Sequence, residues 1–152
     1  MKTLFLFFSV VLLTHNISIK DFDNQEKNVS PVEFLKEFYI AYNAAWSQGG
    51  ESSVLIGKLK QLQAKYCSKE FQKVLNNNFE ESGLDYDILI SNYYANKNEI
   101  KTLNITSLKG KGKYLVSYKV TINDFGTKKV ETIKIKVTLI QENGKLKIND
   151  VE

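Results

Sequence analysis

The stretch from Gly83 to Tyr94 reads GLDYDILISNYY, with Asp85 and Asp87 on either side of a tyrosine and two further tyrosines close behind. Carboxylates and phenols at this density suit two chemistries: acid/base transfer, or oxygen donation to a hard cation. A calcium loop of the helix–loop–helix kind needs oxygen ligands at its first, third, fifth and twelfth positions and glycine at the sixth. Counted from Asp85, the third position is Asp87, but the fifth, sixth and twelfth are Leu89, Ile90 and Asn96. The template fails, and no metal is expected. As an acid/base pair, Asp85 and Asp87 face the same way only on an extended chain, because two helical residues diverge by about 200°. The competing role is local, since aspartate readily bonds neighbouring backbone amides and fixes turns.

What the chain lacks narrows the chemistry further. The single histidine is His15, and all 21 basic residues are lysines. Beyond residue 15 there is no imidazole to serve as a base near neutral pH or to hold zinc. No guanidinium is available to grip phosphate or carboxylate with two parallel bonds. Cys67 is the lone cysteine, so no internal disulfide forms, and without a cationic or imidazole neighbour it reads as a small buried hydrophobe. No cofactor is expected.

The N-terminus explains the outlying histidine. Met1-Lys2 is followed by an apolar run from Leu4 to Leu13, broken only by Ser9. That is the pattern of a secretory signal, too short to cross a bilayer comfortably. Residues 1–19 are therefore expected to be a signal peptide, or an N-terminal hydrophobic anchor if uncleaved. Residues 20–29 form a polar linker and 30–152 a single domain, periplasmic or secreted. Removing Lys2 and, if cleavage falls after it, Lys20 leaves 19 lysines against 17 acidic residues, a formal +2, which is no nucleic-acid signature. Sequons stand at Asn16, Asn28 and Asn104.

The elements that must position these residues follow from hydrophobic period. Ser30-Pro31 with Glu33 is a capping box, and Phe34, Leu35, Phe38, Tyr42, Ala45 and Trp46 recur at helical spacing until Gly49-Gly50. A second helix is predicted from about Glu51 to Tyr66. A third starts behind a Ser68 cap and carries Phe71, Val74 and Leu75 towards Gly83. Residues 83–101 read as a short helix or an irregular crossover. Beyond Lys101 the period falls to two, giving strands at 102–108, 113–122, 128–140 and 145–150, with a loop at 123–127. The fold class is α+β: three N-terminal helices packed on one face of a curved, mostly antiparallel four-stranded sheet.

This order, with FLKEFYIAY (34–42), KYCSKEF (65–71), LDYD (84–87) and GKLKINDV (144–151), resembles the cystatin-like cone of the nuclear-transport-factor-2-like superfamily. Within it the chain is most similar to an exported bacterial family, common in Bacteroidota, called domain of unknown function 3828. The likeness spans about residues 30 to 152. It departs after Asp87, where ILISNYYANKN stands in place of an expected proline and an acidic or aromatic segment. The family implies no established reaction. The superfamily implies a cavity between helices and sheet that holds small apolar ligands or, in some members, performs acid/base chemistry with carboxylates and tyrosines. The matching pocket residues are Tyr39, Tyr42, Trp46, Asp85, Asp87, Tyr114 and Tyr118. At helical or strand spacing, the aromatics among them also read as plain core.

Lys113, Lys119, Lys134, Lys136, Lys145 and Lys147 fall on the other sheet face. They suit a solvated outer surface that discourages edge pairing, or a docking patch centred on Lys119, Lys134 and Lys136. Nucleic-acid binding is not expected, because the strand tyrosines align with the buried face. Three readings follow: a non-catalytic module for a small apolar ligand or a protein partner, a histidine-free acid/base enzyme using Asp87 and a tyrosine, or an immunity-type inhibitor acting through its surface. The chain is expected to be a monomer, since a symmetric copy on the lysine face would meet like charge.

Overall fold

A computed structural model of the chain describes residues 29–48, 51–82, 86–91, 98–124 and 126–152. The expected signal segment, most of the linker, the glycine stop at 49–50, Asp85 and the sequons at Asn16 and Asn28 lie outside these residues. Helix α1 (Pro31–Ser47) begins as its sequence dictates. Ser30 is extended, its Oγ accepts from the Glu33 N–H at 3.2 Å, and the Glu33 carboxylate accepts from the Ser30 N–H at 3.4 Å. Its inner stripe buries Leu35, Phe38, Tyr39, Tyr42 and Ala45. Helix α2 (Ser52–Tyr66) buries Leu55, Leu59 and Tyr66, and α3 (Lys69–Ser82) buries Phe71 and Leu75.

Four strands follow: β1 (Asn104–Ser107), β2 (Lys113–Asp124), β3 (Thr127–Glu142) and β4 (Lys145–Val151), antiparallel in the order β1-β2-β3-β4. The sheet is curved and unclosed, with the helices on its apolar face. Val116, Tyr118 and Val120 of β2 and Ile135, Val137 and Leu139 of β3 point into the core, each side chain removing about 1.5–3 kcal/mol of apolar exposure. Pairing between β2 and β3 runs on to Asp124 opposite Thr127, so the connection at the far end is shorter than the five-residue loop expected. Gly126 supplies the positive φ that so tight a return needs.

Side chains complete the backbone pairing at both edges of the sheet. Strand β1 covers β2 only from Tyr114 to Ser117. Beyond it a 3-10 turn, Glu99–Thr102, replaces the start of the strand expected at 102–108. Thr102 Oγ1 accepts from the Lys119 N–H at 2.7 Å and a Glu99 carboxylate oxygen from the Thr121 N–H at 3.1 Å, so these amides do not stand open as an edge. At the other edge, the junction of α2 and α3 pairs with β4 through a parallel bridge between Cys67 and Ile148, and the Ser68 N–H donates to the Ile148 carbonyl at 2.8 Å. Strand β4 bulges here: Thr138 faces Asp150 and Leu139 faces Ile148, leaving Asn149 unpaired. The freed Asn149 side chain accepts from Ser68 Oγ at 2.8 Å, and the same Oγ accepts from the Phe71 N–H at 3.1 Å to cap α3.

Ser68 thus serves a helix cap and a sheet bulge with one hydroxyl. Ser68→Ala is expected to cost about 1–2 kcal/mol of unfolding free energy in urea. An Asn149→Ala exchange in the Ser68→Ala background should then cost less than it does alone, because the two share a bond.

Candidate functional site

The crossover at residues 86–91 answers the question raised by the aspartates. Leu89 and Ile90 are fully buried and plug the space between helices and sheet. Their insertion turns the half-buried Asp87 inward. Asp87 Oδ2 accepts from the Tyr42 hydroxyl at 2.8 Å and from Trp46 Nε1 at 3.1 Å, while Oδ1 accepts from the Leu89 N–H at 2.9 Å. The carboxylate thus takes the local role weighed from sequence, fixing a turn through Oδ1, and bonds Tyr42 and Trp46 through Oδ2. Gln63 of α2 donates to the Tyr42 hydroxyl at 2.9 Å, which ties α1, α2 and the crossover into one network. Gln63 was not among the expected pocket residues, yet it stands four residues after Leu59 and three before Tyr66, on the inward stripe of α2.

The other candidates divide. Tyr118 is buried and its hydroxyl donates to the Ile90 carbonyl at 2.6 Å, a second tie on the crossover. Tyr39 is fully buried, and among the described residues its hydroxyl has no partner. Removing that hydroxyl with Tyr39→Phe is expected to raise stability by about 1 kcal/mol, read as a higher urea midpoint. Tyr114 is half-buried opposite Val137 and, among the described residues, makes no hydrogen bond to the cluster. Asp85 falls outside the described residues.

Burial governs the electrostatics. It pushes the Asp87 carboxyl above its ordinary value, against the pull of its three hydrogen bonds. Tyr39, Tyr42 and Tyr118 are all raised, first by burial and then by nearby acidic groups, among them Asp87. The Cys67 thiol, buried beside the network, is pushed up to about 12 by burial, with Lys147 pulling the other way. The phenols and the thiol are held in their protonated forms by burial, which disfavours them as anionic nucleophiles or bases. The cleft that opens between α2, α3 and the crossover onto Asp87 holds about 20 Å³, room for a single water. A ligand of a few hundred Å³, expected from sequence inside the cone, meets Phe38, Tyr39 and Tyr42 already filling that space. Among the described residues no three His, Cys, Asp or Glu side chains gather to hold a metal.

Open space lies elsewhere. A groove of about 620 Å³ runs between the start of α1, the end of α2 and the turn joining β3 to β4. Phe34, Tyr66 and Leu146 line it, with Lys65, Lys145 and Lys147 as the basic groups and Glu37 as the acidic one. The Phe34 and Tyr66 rings lie 5.4 Å apart, and Tyr66 packs on Phe38 at the same spacing, so the apolar lining is continuous with the core. Lys147 departs from the solvated role expected of it. Its ammonium donates to the Lys65 carbonyl at 2.6 Å and the Ala64 carbonyl at 3.5 Å, closing the C-terminal end of α2 from β4. Of the other expected docking lysines, Lys119 and Lys134 are exposed, and Lys136 forms a surface ion pair with Glu152 at 3.2 Å.

Helices on one face of an open antiparallel sheet, with a sealed interior and a groove at one end, define the class of protein as an α+β fold with a filled core. No protein-family model and no curated protein matches the chain. It is similar in fold to a protein of unknown function from Bacteroides thetaiotaomicron, known from a crystal structure. The TM-score is 0.67 at 21% identity, over 80% of this chain and 88% of that one.

Proposed function

We propose that this chain is an exported, non-catalytic binding module of the nuclear-transport-factor-2-like superfamily, and that it holds a small ligand in the groove between α1, α2 and the β3–β4 turn rather than inside the cone. One observation carries the reading: the interior beside Asp87 has room for a single water, whereas the groove offers about 620 Å³, within the range of small-molecule sites. An enzyme built on Asp87 would need a free carboxylate lone pair turned to a substrate and a second group able to exchange protons. Here the carboxylate already accepts three bonds, and the cleft that reaches it admits a single water rather than a substrate. The apolar run at 4–13 supports export. The exposed lysines of the outer sheet face favour a monomer.

Native mass spectrometry of the protein purified from its own host tests the reading. The wild type is expected to retain a small-molecule adduct that Gln141→Trp, which fills the groove from an exposed position on β3, does not. An adduct held equally by the variant, or none held by the wild type, would contradict it.

A further inference from the structure

We infer that the occupant of the groove is a small amphipathic anion, one carboxylate on an apolar body. The inference rests on the groove being the working surface and adds the chemistry of what sits there. Phe34, Tyr66 and Leu146 give an apolar lining backed by the core, which a purely polar anion would leave in contact with water. Lys65 and Lys147 against Glu37 leave the walls basic, so a neutral apolar molecule would crowd ammonium groups without answering their charge. Both of these cations have contacts of their own before any ligand arrives. Lys65 Nζ rests 4.7 Å from the Tyr66 ring centroid, above the apolar lining. Lys147 is fixed by the carbonyls of Ala64 and Lys65, and since an ammonium has three donors, one remains for a ligand oxygen. A charge held by its neighbours loses little freedom when it binds, which favours a carboxylate delivered onto that spot.

Chemical-shift mapping of the ¹⁵N-labelled protein with three probes separates the components: sodium decanoate, 1-decanol and sodium acetate. Decanoate is expected to give saturable shifts centred on Phe34, Tyr66, Leu146 and Lys147, and to bind about tenfold more tightly than decanol. Acetate should give no saturable shift. Lys65→Gln should weaken decanoate about fivefold and Glu37→Gln tighten it about twofold, both differences shrinking as salt is raised. Decanol binding as tightly as decanoate would overturn the anionic class while leaving the groove as the site. Decanoate shifts confined to Trp46 and Leu89 would overturn the groove as well. No saturable shift from any probe would overturn the inference alone, since an adduct lost in Gln141→Trp would still uphold the groove.

Discussion

Asp87→Ala is expected to lower the unfolding free energy by about 3 kcal/mol, the net of three donors left without an acceptor and one buried charge removed. The Tyr42 hydroxyl, the Trp46 indole and the Leu89 amide all lose this acceptor together. Tyr42→Phe removes one of the three donors and also the acceptor of Gln63, so it should cost about 1–2 kcal/mol. Asp87→Asn separates charge from bonding. Because burial raises the folded carboxyl above its ordinary value, the folded chain binds that proton more tightly than the unfolded chain does. The burial penalty is absent below the ordinary carboxylate value, near about 4, and grows as pH rises through the folded pKa. Relative to Asp87→Asn, the wild type should therefore lose stability as pH rises across that window, and the gap should be level above it. Urea denaturation of the three variants and wild type at a series of pH values measures all of this. An Asp87→Ala midpoint equal to wild type would mean that the network contributes nothing.

Gly112→Ala should be comparably damaging, at about 3 kcal/mol, for a reason of backbone alone. Gly112 has φ +74, and a Cβ there would stand 2.4 Å from the Leu139 carbonyl oxygen. The strand cannot retreat to make room, because the Leu139 N–H donates to the Gly112 carbonyl at 2.7 Å. The β1–β2 turn is thereby pressed onto β3 next to the bulge, and a methyl group would part them. Gly126→Ala is the control. Its φ is +86, but the space around it is open, so only the conformational cost of about 1 kcal/mol remains. Thermal unfolding of both variants checks the pair; equal losses would show that contact with Leu139 is not the cause.

The local rules were legible and the distant pairings were not. Ser30, Pro31 and Glu33 sit within one turn, so the start of α1 could be read from spacing, as could the Ser68 cap and the strands of alternating period. The α+β architecture followed from those elements. The 3-10 turn escaped notice because Thr102 and Glu99 stand in for a strand with side-chain acceptors, and no hydrophobic period records that. The bulge at Asn149 escaped because its partner, Ser68, is 81 residues away. Lys147 falls on the outer face by alternation, yet it reaches around the sheet edge to the carbonyls of α2. At the candidate site Tyr42, Trp46 and Asp87, all singled out from sequence, meet in one hydrogen-bonded cluster. What spacing could not convey was that Leu89 and Ile90 enter the core and carry Asp87 inward with them, filling the cavity that the same residues were expected to line.

Asp87 closes the inner end of its cleft, and the molecule contains one reporter for it. Trp46 is the single tryptophan, so its indole N–H gives one signal in a proton–nitrogen correlation spectrum. With its hydrogen bond to Asp87 Oδ2, that signal is predicted to move on Asp87→Ala and, in the wild type, to titrate with a midpoint above the ordinary carboxylate value. An indole signal unchanged by the substitution and indifferent to pH would contradict the sealed interior, and with it the assignment of binding to the groove.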